Sequence, residues 1–326
     1  MNVYYSTAFL LASLTLSIAA PANSATVELN YSYRNGLDHT TYLFDKGIKY
    51  AVEYLETEFK KRPNDEQLRI ALYGGQAVGK PGQQTEYAAR LIESELKVHS
   101  NNEQLRFVLG IIYWSKPEKA VLQFEEIIRR NPLHADSHFL LGILAFGQRD
   151  LDSFARHMQS AIRSNPFHVQ AYNALAMVYA KTNKLDEAIQ IMEEAKARIP
   201  REESIYFNQA LMYVVKDQYQ EVISDMTRAV AINADKESLL ILGWAHFKQK
   251  EYEVARMTMR RLLEIDPKNV NALLVIATTY KETKDFDKAL EIAEQARAIE
   301  PSNKTIDQEI KEYKEEYKRW KERGKM

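Results

Sequence analysis

The 326-residue chain has no cysteine. That excludes disulfides, thiolate zinc sites and a lipid-modified cysteine, so stability has to come from packing alone. Glycine and proline are scarce, at 11 and 9 residues, which argues against low-complexity or collagen-like chains and for long helices around a continuous core. Neither sign of charge dominates. With 44 basic and 45 acidic residues, no whole-chain field draws nucleic acid or an anionic membrane.

Charge is absent altogether from residues 1 to 27, and within them Ala8 to Ala20 is a run of apolar and small residues. At 13 residues the run is short for a membrane span. It ends at Pro21, and small residues then offer processing after Ala22 or Ser24. The segment is read as a secretory signal over residues 1–24, although its amino-terminal region lacks the usual lysine or arginine. An uncleaved anchor and a buried helix are the other readings. Either of the first two exports the chain, to the periplasm or beyond in a bacterium.

What the chain has in abundance is period. Pro132, Pro166, Pro200, Pro267 and Pro301 recur, with Ala234 in place of a sixth, at spacings of 34, 34, 34, 33 and 34 residues. That period belongs to helical repeat arrays, not to a catalytic globule. Six units follow, at 103–134, 135–168, 169–202, 203–235, 236–269 and 270–303. Eight residues into each stands a small side chain: Gly110, Gly142, Ala176, Ala210, Gly243 and Ala277. Further on come Ala120, Phe154, Ala188, Val222, Ala255 and Ala289, and a turn later Phe124, Met158, Met192, Met226, Met259 and Ala293. Two antiparallel helices approach closely only where the crossing point lacks bulk, and the larger residues one turn away fill the space beside it.

The pattern resembles the tetratricopeptide repeat (TPR), a helix-turn-helix unit with small residues at the crossing, a tyrosine in the first helix and proline after the second. Tyr113, Tyr179, Tyr213 and Tyr280 fill the tyrosine column, while Ala145 and His246 depart from it. The resemblance implies an all-α solenoid, wound as a right-handed superhelix. Polar breaks at Gly147–Asp150, Lys181–Lys184 and Lys248–Lys250 separate the two helices of a unit, and Ser115–Glu118 gives a tighter turn in the shorter first one. Residues 25–39 read as a linker and 40–102 as divergent repeats, with Ala88 and Ile92 at second-helix positions. At the other end, Ile306, Ile310, Tyr313, Tyr317 and Trp320 form one apolar stripe, which makes 304–326 a capping helix.

In the TPR family the first helices line a concave surface through their second, fifth, ninth and twelfth positions. Carried over, the resemblance implies a partner-binding groove of Phe107, Ile111, Trp114, Phe139, Ile143, Phe146, Asn173, Met177, Phe207, Leu211, Leu240, Trp244 and Phe247. These columns are mostly apolar, which disfavours a carboxylate clamp and favours an amphipathic helix or extended apolar segment of a partner protein. On this reading Trp244→Glu or Phe139→Glu abolishes capture and leaves folding intact. The competing reading is that these side chains are buried by the array itself, or by the segment Val27 to Tyr42.

Motifs for chemistry are weak. Gly74–Lys80 fits the first seven positions of a phosphate loop, but Pro81 replaces the metal-binding hydroxyl. His134, Asp136 and His138 are the densest run of metal-ligand types, without a third ligand at proper spacing. No catalytic residue, metal or cofactor is assigned. The expected function is a non-enzymatic adaptor of a bacterial envelope, secretion or polysaccharide-export system; a self-assembling structural array, or a membrane-anchored subunit of a complex, is the alternative.

Overall fold

A computed structural model describes residues 81–323, together with 15–18, 29–32, 57, 60 and 61. The chain divides into two compact units, Met1–Leu14 with Tyr33–Ile191, and Thr15–Ser32 with Met192–Met326.

In the first unit, helix α1 (Pro81–Val98) precedes the pair α2 (Glu103–Ile112) and α3 (Pro117–Arg130), joined by a 3-10 turn at Tyr113–Ser115. The pairs α4 (Ala135–Gly147) with α5 (Leu151–Ser164), and α6 (Val169–Lys181) with α7 (Leu185–Arg198), follow, and the division between units falls inside α7. The second unit continues with α8 (Glu203–Val215) and α9 (Tyr219–Ile232), α10 (Lys236–Lys248) and α11 (Tyr252–Ile265), and α12 (Val270–Glu282) and α13 (Phe286–Ile299). A single long helix, α14 (Lys304–Arg323), ends it. Among the described residues, then, six helix pairs follow α1 and precede one long last helix.

Why the sequence turns where it does is visible at each joint. After α4, α6, α8, α10 and α12 the chain passes through Arg149, Asn183, Asp217, Lys250 and Lys284, each at φ between 55° and 65°. The N–H of the following residue reaches back five residues, as Asp150 to the Ala145 carbonyl at 2.9 Å and Glu251 to that of His246 at 2.9 Å. This left-handed ending satisfies carbonyls the helix would otherwise orphan. Asn183 and Asp217 adopt that conformation more readily than the arginine and lysines do. The first pair lacks such a residue; its 3-10 turn leads into Pro117, whose missing N–H costs nothing at a helix start. Several helix starts are capped by side chains: Asn102 accepts from Leu105 N–H at 3.0 Å, Asp150 from Ser153 N–H at 2.9 Å, and Asn269 from Ala272 N–H at 3.0 Å.

The core is the crossing within each pair. Ala120, Phe124, Phe154, Met158, Val222, Met226, Ala255 and Met259 are wholly buried. A methyl group added at Gly110 would stand 2.6 Å from the Phe124 ring, and one at Gly243 would stand 2.7 Å from the Met259 methyl. Those glycines are there because the opposing side chain occupies their space. In helix α1, Ile92 is fully buried. The tyrosine column makes a recurring contact: Tyr113 bonds Glu93, as Tyr179 bonds Gln159 at 3.2 Å and Tyr280 bonds Arg260 at 3.0 Å, each partner 20 residues upstream.

Upstream of the helices, strand β1 (Thr15–Ile18) pairs antiparallel with β2 (Leu29–Ser32), Thr15 opposite Ser32 and Ile18 opposite Leu29. Both segments alternate polar and apolar residues, the period of a strand. The first lies within the apolar run Ala8–Ala20 and the second within residues 25–39. The glycine-rich segment Gly74–Lys80 lies outside the described residues.

Candidate interaction surface

The first helix of each pair carries the columns that the family resemblance assigns to a groove. In the first unit, Ile111, Trp114, Phe139, Ile143, Asn173 and Met177 are buried, and only Phe107 and Phe146 are half-exposed. Phe107 lies edge-on to Phe124 at 5.7 Å and beside His134 at 5.5 Å; Phe146 meets Phe154 at 5.6 Å and Phe139 meets His168 at 5.0 Å. In the second unit, Phe207, Leu211, Leu240 and Trp244 are buried in one continuous cluster, and Phe247 packs partly buried against it. Tyr219 stands edge-on to Trp244 at 5.2 Å, and Lys248 lies 5.6 Å over the indole.

Ten of the thirteen groove residues are therefore enclosed. Charging Phe139, wholly buried, or Trp244, at 4% exposure, would strand a carboxylate in the interior, so neither substitution tests binding separately from folding. At the fifth, ninth and twelfth positions the accessible side chains are Phe107, Phe146, Ala180, Phe247 and Lys281, while the second position keeps polar residues, Gln104, Asp136, Gln170, Glu237 and Asn271, at least partly open to water.

The histidines that tempt toward a metal have other duties. His134 Nδ1 accepts from the Ser137 N–H at 3.1 Å, so His134 is the cap of α4. Asp136 faces His168 at 3.7 Å. His138 instead meets His157 across the α4–α5 crossing, Nδ1 to Nδ1 at 3.4 Å. Its Nε2 donates to the Pro132 carbonyl at 3.0 Å, which leaves Nδ1 bare to accept from His157. Burial holds both imidazoles below their ordinary pKa, hence neutral. Among the described residues no three metal-ligating side chains stand together, and no helix is long and apolar enough to cross a membrane.

Two polar clusters in the second unit escaped the sequence reading. On α9, Asp225 is 4% exposed and receives Lys196 Nζ at 2.9 Å. Lys196 also reaches Glu193 at 3.0 Å, and Glu193 accepts from Gln209 at 2.6 Å. Burial raises Asp225 to about 6 in spite of the lysine, which pulls the other way. On α14, Glu309 is 6% exposed and meets Tyr313 at 3.1 Å; Tyr313 in turn meets Thr278 at 2.9 Å. A signal for the second was present. Glu309 occupies the sixth first-helix position, held elsewhere by Val108, Leu140, Ala174, Asn208, Ile241 and Val275.

With this geometry the family comparisons agree. One tetratricopeptide repeat model matches residues 246–307, and another matches 113–161 and 148–203. Among solved structures, YrrB, described as a TPR protein with an unusual peptide-binding site, is 21% identical, with 58% of this chain and 97% of that chain covered at a TM-score of 0.52. The C-terminal part of a TPR repeat-containing protein from Cytophaga hutchinsonii is 16% identical, with 68% and 93% covered at a TM-score of 0.58. At these identities the likeness is one of fold. No curated protein matches the chain.

Proposed function

Since this chain is a tetratricopeptide repeat protein, we propose that it is a non-catalytic scaffold that holds an apolar or amphipathic segment of a partner protein. The observation that carries this reading is the half-exposure of Phe107, Phe146 and Phe247, each anchored by a buried or neighbouring ring. A rigid aromatic that still presents an edge to water is the kind of side chain that dominates binding energy at interfaces. Export supports an envelope role: Ala8–Ala20 and the small residues around Pro21 are the pattern of a secretory leader.

The test uses the full chain in its own compartment, crosslinked and recovered with its partner. Phe146→Glu and Phe247→Glu are expected to lower capture at least ten-fold while helicity and the thermal midpoint stay near wild type. Undiminished capture by both variants overturns the groove reading. Amino-terminal sequencing of the same preparation reads the export proposal, and a cytosolic protein starting at Met1 overturns it.

A further inference from the structure

Helix α14 is docked on α12 by a chain of hydroxyls whose protons can be counted. Thr278 Oγ1 donates to the Leu274 carbonyl at 2.8 Å, which spends its only proton. The 2.9 Å contact between Thr278 Oγ1 and Tyr313 OH then requires the phenol to donate. In that arrangement the 3.1 Å contact between Tyr313 OH and Glu309 Oε2 is closed by the carboxyl proton; with the Thr278 proton turned to Tyr313 instead, the phenol donates to a carboxylate. The other oxygen, Oε1, is buried with no hydrogen-bond partner. Either form leaves Oε1 bare, which costs more when the carboxyl is charged, and a carboxylate also competes with Thr278 for the Tyr313 proton. A neutral acid leaves no donor unused.

Charges around the site do not rescue the ionised form. Lys281 faces it from α12 but is engaged by Glu282 at 2.9 Å and Glu316 at 3.8 Å. Glu312, on α14 itself, is of the same sign. From α13, Asp287, Glu294 and Arg297 meet Tyr317, Lys314 and Asp307 respectively.

We propose that α14 is a proton-held lid on the last repeat, docked through a closed chain from the Glu309 carboxyl to the Leu274 carbonyl and loosened when Glu309 ionises. Loosening it uncovers the apolar end formed by Val270, Leu273 and Ala277 of α12 with Ala293 and Ala296 of α13, which Ile306 and Ile310 now cover. The proton balance is simple, since the carboxyl proton leaves to water and the hydrated carboxylate is best solvated with the helix lifted. Burial, with Glu312 adding to it, pushes Glu309 from 4.5 up to about 7, against the pull of the Tyr313 hydrogen bond and Lys281. The docked state therefore holds more protons than the open state between those values. Docking weakens as pH rises through that window, and the weakening is complete above about 7.

Hydrogen exchange by mass spectrometry on the full chain tests this, at pH 5.5 and 8.5, with intrinsic exchange rates divided out. Opening of 304–323 is expected to rise on the order of thirty-fold across that interval, while 236–265 does not follow. Glu309→Gln, neutral at both pH values, is expected to remove the rise. Equal opening of wild-type α14 at both pH values, or the same rise in Glu309→Gln, overturns the proposal. Should Glu309→Gln fail to fold, carbon NMR of the wild-type carboxyl decides instead: a titration midpoint near 7 sustains the lid, and one below 5 overturns it.

Discussion

Among its described residues the second unit buries two carboxyls, Asp225 and Glu309, and it settles them in opposite ways. Asp225 is given a cation, Lys196 at 2.9 Å, that is itself shared with Glu193. Glu309 is given only hydroxyls, Tyr313 and beyond it Thr278. Both carboxyls are raised by burial, to about 6 and about 7, so burial acts similarly at the two sites and the partner decides what the proton does. At Asp225 the lysine makes the charged pair the working state near neutral pH. At Glu309 the proton itself completes the hydrogen bonding. One is a permanent internal tie between α7 and α9; the other responds to the solvent.

Removing the cation should separate them most strongly. Lys196→Ala leaves Asp225 buried without its counter-charge, and breaking one side of such a pair costs about 3 kcal/mol, at the low end for buried pairs because Lys196 is 21% exposed. The loss should grow between pH 5 and 8, since Asp225 escapes by staying protonated at the acid end. Urea unfolding at the two pH values measures it. A loss of equal size at both would mean that Lys196 acts through packing, over the Tyr206 ring 5.6 Å away, and not through its charge.

Glu309→Gln should run the other way. Wild type is penalised above pH 7 for holding an ionised Glu309, while the amide carries no such penalty. Relative to wild type, the variant should gain about 2 kcal/mol on going from pH 5.5 to 8.5. The same urea series reads this, and a constant difference would place the proton elsewhere.

The repeats themselves were legible because period and residue type report the same physical constraint. Gly110 faces Phe124 and Gly243 faces Met259 at distances that admit no side chain, so a small residue recurring every 32 to 34 positions marks a crossing without any need for coordinates. Exposure of the groove was not legible. Phe139 and Phe146 are both phenylalanines on α4 in columns assigned to the same surface, yet one is wholly buried and the other half-exposed. Residue type records that a position is apolar, not whether another helix or a partner covers it. The His138–His157 pair was hidden for a different reason: its members lie 19 residues apart on facing helices, whereas the eye is drawn to the neighbours His134, Asp136 and His138. Glu309 stood out only against its column. The cap helix is charged throughout, and one more glutamate there looks solvated until the position is aligned with Val275 and Ile241.

The smallest expected effect discriminates most finely between the two carboxyls. Thr278→Val keeps the shape of the side chain and removes the acceptor at the end of the Glu309 chain, without touching the lysine pair at Asp225. Below pH 6 the Tyr313 hydroxyl loses its acceptor, a cost of about 1 kcal/mol. Above pH 8 the phenol already donates to the ionised Glu309, so the same substitution should cost less. The freed phenol proton also favours the carboxylate, so the Glu309 midpoint should fall below its wild-type value of about 7 in a carbon NMR titration, while that of Asp225 does not move. A Glu309 midpoint unchanged in Thr278→Val would mean that Tyr313 donates to the carboxylate at every pH. The cap would then be held by its apolar stripe alone.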